Sequence, residues 1–247
     1  MSEKECVGIE IIKEIPFFGE GDSLEGIYAK GFIPTRIQRD LYYMARSTRI
    51  NLENFSESSE LRRVDRKVEG LTVTAVKLSD FEYDYTLGKQ MKDFYDARFG
   101  NKTLSAQKAK WLFTSGVFSH VLTYRIDESD DIIGYCIANI NDNAMHYAYP
   151  FYSLELDLPN LGMGMMLKAA QYSKEQNIKM MYLGTSYTEK SLYKTQFPGF
   201  EWFTGNTWNS SVAELKEIIR NSPPVNAFKE TENREELIQS IKTTITL

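Results

Sequence analysis

Residues 151–208 constrain the fold more than any other part of this 247-residue chain. A strand-like run ending in Glu155-Leu156-Asp157-Leu158-Pro159 is followed by Leu161-Gly162-Met163-Gly164, a helical segment, a second apolar strand and Ser191-Leu192-Tyr193-Lys194. The order is strand, glycine turn, helix and strand, with a tyrosine placed afterwards. Two glycines at the mouth of a helix leave backbone N–H groups unshielded by side chains and directed out of the terminus, which suits a pyrophosphate or another phosphate ester.

The residues before that stretch extend the pattern. Residues 71–76 alternate as a strand does, and 85–99 and 105–113 carry Leu, Met, Phe, Tyr and Trp at helical spacing. Three strand-like runs follow, at 119–126, 132–140 and 144–156. Asp127-Glu128-Ser129-Asp130-Asp131 and Asn141-Asp142-Asn143 separate them, and such turn sequences predict antiparallel hairpins. Beyond the glycines we expect a helix over 165–176, a buried strand over 180–183, a short helix over 189–195 and a final strand over 200–208. The resulting order β, α, α, β, β, β, α, β, α, β predicts an α+β fold with a central, mostly antiparallel sheet flanked by helices. Residues 1–70 read as a small, turn-rich N-terminal region with strand-like pieces at 7–12 and 41–43. Residues 71–209 form the main domain. Residues 210–247 form a C-terminal helical cap, with one helix to about Arg220 and another over 233–241.

Charge and cysteine content narrow the function classes. A formal charge of −5 excludes a surface given over wholly to nucleic acid, yet Arg36, Arg39, Arg46, Arg49, Arg62, Arg63, Arg66 and Lys67 gather in one locally basic segment. Cys6 and Cys136 are the only cysteines, too few for a disulfide framework or a cysteine-rich zinc site. His120 and His146 lie in strand-like runs without a second ligand at metal spacing, so no metal is expected. The first residues are charged and no run approaches the ~18 apolar residues of a membrane span, so the expected location is the cytoplasm.

The element order, the glycine turn after the fourth strand and the tyrosine in the last helix resemble the GNAT acyltransferase superfamily over about residues 71–208. That superfamily carries Arg or Gln three residues before the first glycine. Here the place is taken by Pro159, so the acetyl-CoA version of the motif is incomplete. Tyr182-Leu183-Gly184, Tyr193-Lys194-Thr195-Gln196-Phe197-Pro198, Phe151-Tyr152-Ser153 and Asp157-Leu158-Pro159 resemble one branch, the arginyl- and leucyl-tRNA–protein transferases. Tyr28-Ala29-Lys30-Gly31-Phe32 and residues 58–67 are similar to that branch's basic N-terminal region. The several cysteines usual in that region are missing from residues 39–51.

The resemblance implies an aminoacyltransferase that moves an amino acid from charged tRNA to the amine of a protein or peptide N-terminus, as in an N-degron pathway. Such a transfer needs a neutral amine, a stabilised oxyanion and a proton for the leaving group. Glu155 and Asp157, two apart on a strand and therefore on one side of it, are candidates for managing the amine. Tyr193 is the candidate for protonating the leaving group. Gly162, Gly164, Gly184, Thr185, Ser186, Tyr187 and Lys194 are the substrate-binding candidates, and Arg36, Arg46, Arg49, Arg62, Arg63 and Arg66 the tRNA-binding ones. Each has a plainer reading: edge carboxylates, close-packing glycines, helix caps, a core tyrosine, an exposed helix lysine, and arginines paired with Glu57, Glu60 and Asp65. The donor would be aminoacyl-tRNA with no separate cofactor, and neither membrane nor DNA is an expected partner. Two rivals remain: an N-acyltransferase using acetyl-CoA or another acyl-CoA, and a noncatalytic relative that binds RNA or protein through the basic segment.

Overall fold

The computed structural model of the chain describes residues 22–35, 41–127, 129–156 and 158–221. In chain order these form α1 (Leu24–Ala29), β1 (Phe32–Pro34), β2 (Tyr42–Met44), β3 (Ser47–Asn51), α2 (Ser59–Lys67), β4 (Leu71–Lys77), α3 (Tyr85–Phe99) and α4 (Ala106–Thr114). Then come β5 (His120–Ile126), β6 (Gly134–Ile140), β7 (Ala144–Tyr152), α5 (Leu161–Glu175) and β8 (Met180–Thr185). A 3₁₀ helix over Glu189–Gln196, β9 (Phe200–Phe203), β10 (Trp208–Asn209) and α6 (Val212–Asn221) complete the described chain. The strand expected over residues 7–12 and the helix over 233–241 lie outside the described residues. No described helix is long and apolar enough to cross a membrane.

The described residues divide into two compact units. One holds the described residues of Met1–Thr48, Thr185–Thr195 and Glu201–Leu247; the other holds those of Arg49–Gly184 and Gln196–Phe200. In the second unit the strands lie side by side in the order β3, β8, β7, β6, β5, β4. The two expected hairpins are present, with β5 and β7 both antiparallel to β6. The expected α+β class holds, with one correction: the sheet is mixed, because β7 and β8 run parallel. The long return through α5 makes this so, since a helix of that length reverses the chain before the next strand begins.

Adjacent residues of each strand face opposite ways, and each face carries a helical layer. Val121 and Ile137, opposite one another, pack with Leu87, Met91 and Phe94 of α3 and with Leu112 and Phe113 of α4. Leu122 and Cys136, one step along, pack on the other face with Met165, Met166 and Ala169 of α5. α3 starts where expected because the Asp84 side chain accepts the N–H of Thr86 at 2.8 Å, and it stops at Gly100, whose φ is +101°. Lys89–Asp93 (2.7 Å) and Lys92–Asp96 (2.8 Å) ion pairs lie on its outer side.

In the first unit, β1 and β2 pair antiparallel, and the Ser47 Oγ donates to the Gly31 carbonyl at 2.8 Å. β9 and β10 form a hairpin in place of the single strand expected over 200–208, with Trp208 opposite Phe203. Trp208 Nε1 donates to the Ala29 carbonyl at 2.7 Å, and Trp202 Nε1 to that of Ser211 at 3.0 Å. α6 falls where the first helix of the C-terminal cap is expected.

α5 begins four residues earlier than its apolar periodicity predicts, and this changes the meaning of its glycines. A Cβ on Gly164 would lie 2.7 Å from both γ-methyls of Val68, the residue that ends α2. Gly164 is thus the place where α5 meets the end of α2. Gly164→Ala should lower stability by about 1 kcal/mol, the ~1–3 kcal/mol cost of overpacking outweighing the ~1 kcal/mol gain in helix propensity. In a Val68→Ala background the same change should cost less or become favourable. Urea unfolding of the four proteins measures this coupling, and an equal cost in both backgrounds would refute the packing role.

Candidate functional site

The site candidates divide between the two units. In the second unit β7 ends at Tyr152, so Glu155 is not on a strand; it lies exposed in a turn, its N–H 3.4 Å from the Ser153 Oγ. The β6 ladder stops at Gly134 opposite Tyr152, and Ser153 N to Ile133 O is its last bond. Beyond that point the chain leaves the ladder, so strand alternation does not set Glu155 on one side with a second carboxylate. Asp157 lies outside the described residues.

The glycine pair is also placed differently from expectation. Asn160, at φ +66°, makes the turn, and Gly162 and Gly164 are the second and fourth residues of α5. Gly164 N–H donates to the Asn160 carbonyl at 2.8 Å and so is consumed by the helix. The Asn160 side chain makes no cap bond, which leaves Gly162 and Met163 as the N–H groups that the first turn offers to an anion. The Tyr152 ring lies against Gly162, 3.3 Å from where a Cβ would stand. The Tyr152 hydroxyl accepts from Arg98 Nη2 at 2.6 Å, and that guanidinium lies 5.5 Å over the Tyr152 ring and 5.9 Å over Phe94. Sequence reasoning missed Arg98, because 54 residues separate it from Tyr152 and only the packing of α3 on β7 joins them.

The basic segment is a surface in one part and a buried group in another. Ser58 caps α2 by accepting the N–H of Leu61 at 3.2 Å, so its plainer reading holds. Arg62, Arg63 and Arg66 are exposed on α2. Arg62 donates to the Glu57 carbonyl at 2.6 Å and Arg63 pairs with Glu60 at 3.0 Å, while Asp65 pairs with Lys168 at 2.8 Å. Arg49 is half-buried in β3, and Arg36 lies outside the described residues. Arg46 contradicts its expectation outright. Only 2% exposed, it cannot take part in a solvent-facing surface that tracks phosphates.

In the first unit that buried arginine joins the other candidates. Arg46 N–H donates to the Tyr187 hydroxyl at 3.0 Å, and its carbonyl accepts the N–H of Ser186 at 3.0 Å. Its guanidinium lies 5.4 Å over the Tyr187 ring, yet Nε and Nη1 are buried without a hydrogen-bond partner. Ser186 is fully buried, its Oγ 2.7 Å from that of Ser191. Burial raises the Tyr187 phenol above its ordinary value and so keeps it neutral. Lys194 is not the exposed helix lysine of the plainer reading: it is 8% exposed and its Nζ donates to the Thr185 carbonyl at 2.8 Å. Tyr193, its neighbour on the 3₁₀ helix, is 40% exposed. Gly184, at φ +73° with open space where a Cβ would stand, turns the chain into this segment. The segment Thr185–Tyr187 therefore lies among two buried cations.

Burial lowers the Lys194 ammonium from 10.5 to about 8. Below about pH 8 the folded protein holds this charge out of water, which opposes folding. Between about 8 and 10.5 the folded form has released the proton and the unfolded chain has not, so stability rises with pH across that window. Wild-type stability should gain on the order of 3 kcal/mol relative to Lys194→Met as pH rises through it. Chemical denaturation of both proteins from pH 7 to about 10.5 measures the difference, and a constant gap would mean that Lys194 is solvated.

Known proteins share this arrangement of sequence. Residues 83–204 match the family described as "Arginine-tRNA-protein transferase, C terminus". The aspartate/glutamate leucyltransferase of Ruegeria pomeroyi is 25% identical over 179 residues, 71% of this chain and 66% of that protein. The enzyme of the same name from Saccharophagus degradans is 29% identical over 169 residues, 65% of this chain and 69% of that protein. The matches thus span about two thirds of the length of these relatives. Among solved structures, L-PGS from Bacillus licheniformis aligns at a TM-score of 0.42 and 10% identity, covering 80% of this chain and 68% of that one. Over residues 83–204 the chain is similar to the arginine-tRNA-protein transferase C-terminal family, and it resembles the aspartate/glutamate leucyltransferases.

Proposed function

We propose that this chain is an aminoacyltransferase that takes an amino acid from charged tRNA and joins it to the α-amine of a protein or peptide whose first residue is acidic. The observation that carries this reading is the family match over residues 83–204, supported by relatives that are aspartate/glutamate leucyltransferases. The amine nitrogen attacks the ester carbonyl carbon, an amide forms, and the 3′ oxygen of the terminal adenosine leaves with a proton. The amino acid arrives already activated as an ester, so the reaction needs no separate cofactor. A cytoplasmic enzyme marking protein N-termini, as an N-degron pathway requires, is the biological form of this activity.

Each residue contributes chemistry suited to it. The N–H groups of Gly162 and Met163 suit a phosphate at the 3′ end of the donor. Exposed Arg62, Arg63 and Arg66 on α2 suit the tRNA backbone farther away. Glu155 and Asp157 are the carboxylates for the incoming amine. Gly184 and Thr185 are assigned to the ester carbonyl, and Tyr193, with its ring partly in solvent, to the proton that the leaving oxygen takes.

The test supplies leucyl- and arginyl-tRNA with peptides beginning in Asp, Glu or a neutral residue, beside an acetyl-CoA control. Label should enter peptide only with charged tRNA. Tyr193→Phe should cut kcat by about 10²-fold or more while leaving the unfolding midpoint unchanged. Label arriving only from acetyl-CoA would refute the reading.

A further inference from the structure

Among the described residues Arg46 has no counter-charge. It is 2% exposed, and its Nε and Nη1 have no acceptor. The neighbouring Tyr187 ring offers a π-face, and the Tyr187 hydroxyl already accepts the Arg46 backbone N–H. The other cation on the same segment, Lys194, spends one of its three donors on the Thr185 carbonyl. Among the described residues neither cation has a carboxylate within salt-bridge range. Burying an unpaired guanidinium opposes folding strongly, and replacing it with an apolar residue would remove that cost. A site that retains it is a site for an anion brought from outside.

Resting on the aminoacyltransferase reading above, we propose that Arg46 is the specificity residue that receives the side-chain carboxylate of the acceptor's first residue. The planar guanidinium matches a carboxylate in shape and charge. Its burial favours a short side chain at the end of a flexible peptide over the phosphate of a folded polynucleotide, which is met on exposed surfaces such as α2. The buried Ser186 hydroxyl pairs with that of half-buried Ser191 at 2.7 Å, and of the two cations on this segment Arg46 is the one with buried donors, Nε and Nη1, that have no hydrogen-bond partner. An acceptor beginning in Asn or Gln would leave the guanidinium desolvated and still unpaired, and so would be rejected.

The test compares kcat/KM for peptides beginning in Asp, Glu, Asn and Gln, with charged tRNA, in wild type, Arg46→Gln and Arg46→Lys. The ratio of acid to amide is read within each protein, which cancels any change in donor binding or in the folded fraction. Wild type should prefer the acids by about 10- to 100-fold. Arg46→Gln should bring the ratio close to one, and Arg46→Lys should keep part of it. A ratio unchanged in Arg46→Gln, with both rates falling together, would assign Arg46 to the donor or to folding and overturn the proposal. Wild-type transfer without preference would overturn it while leaving the aminoacyltransferase reading intact, whereas no tRNA-dependent transfer at all would remove the reading itself. Should both variants fail to fold, the wild-type melting temperature with excess Asp-Ala and Asn-Ala decides: a larger rise with the acidic dipeptide supports the proposal, and equal shifts overturn it.

Discussion

A single extra residue in β7 determines how both faces of the second unit are filled. Ile137 pairs with Tyr149 and Ala138 with Tyr147, so Ala148 has no partner on β6. Up to that point odd-numbered residues, Met145 and Tyr147, face α5. Beyond it Tyr149 and Phe151 face α3 and α4. With regular alternation all four would share one face, and the layer over α3 and α4 would lose Phe151, which stacks on Tyr135 at 5.2 Å and meets Phe113 edge-on at 6.4 Å. The same shift sets Tyr152 beside Gly162 and under Arg98, so the contact between that guanidinium and the ring depends on the bulge.

Local chemistry was legible wherever it acts alone. The limits of α3 follow from Asp84, from Gly100 and from the spacing of Leu87, Met91, Phe94 and Tyr95. The turn between β6 and β7 follows from Asn141, whose Oδ1 accepts the N–H groups of Asn143 and Ala144 at 3.0 and 2.7 Å. The readings that failed each depended on a partner distant in sequence. β3 was not foreseen because Ser47 and Thr48 are polar and buried, which inverts the pattern that marks a strand. Glu155 left the strand because β6 ends, and Gly164 serves packing because Val68 stands opposite. Neither fact is written near those residues.

Arg46 and Lys194 looked alike in the sequence, as basic residues suited to phosphate, and both prove to be buried. Their burial has different consequences because their chemistry differs. Lysine escapes the cost by giving up its proton, and with its ammonium at about 8 it does so close to neutral pH. Burial lowers Arg46 as well, but a guanidinium starts so far above neutrality that it stays charged throughout the range in which the protein works. Tyr187 does not supply a negative charge, since its phenol is raised above 10.0 and stays neutral there.

The difference bears on which of the two cations needs something from outside the chain. A lysine near neutrality is self-sufficient: protonated or not, it keeps its bond to the Thr185 carbonyl. Arginine has no such second state, so the desolvation of Arg46 is offset only by an acceptor reaching Nε and Nη1. The chain holds 34 aspartates and glutamates, yet among the described residues none is placed there. A buried guanidinium that no described carboxylate matches is a fixed positive point whose energy falls when an anion arrives. That is the physical requirement for choosing an acidic acceptor over its neutral amide, because discrimination of that kind comes from the polar group left unsatisfied by the wrong substrate.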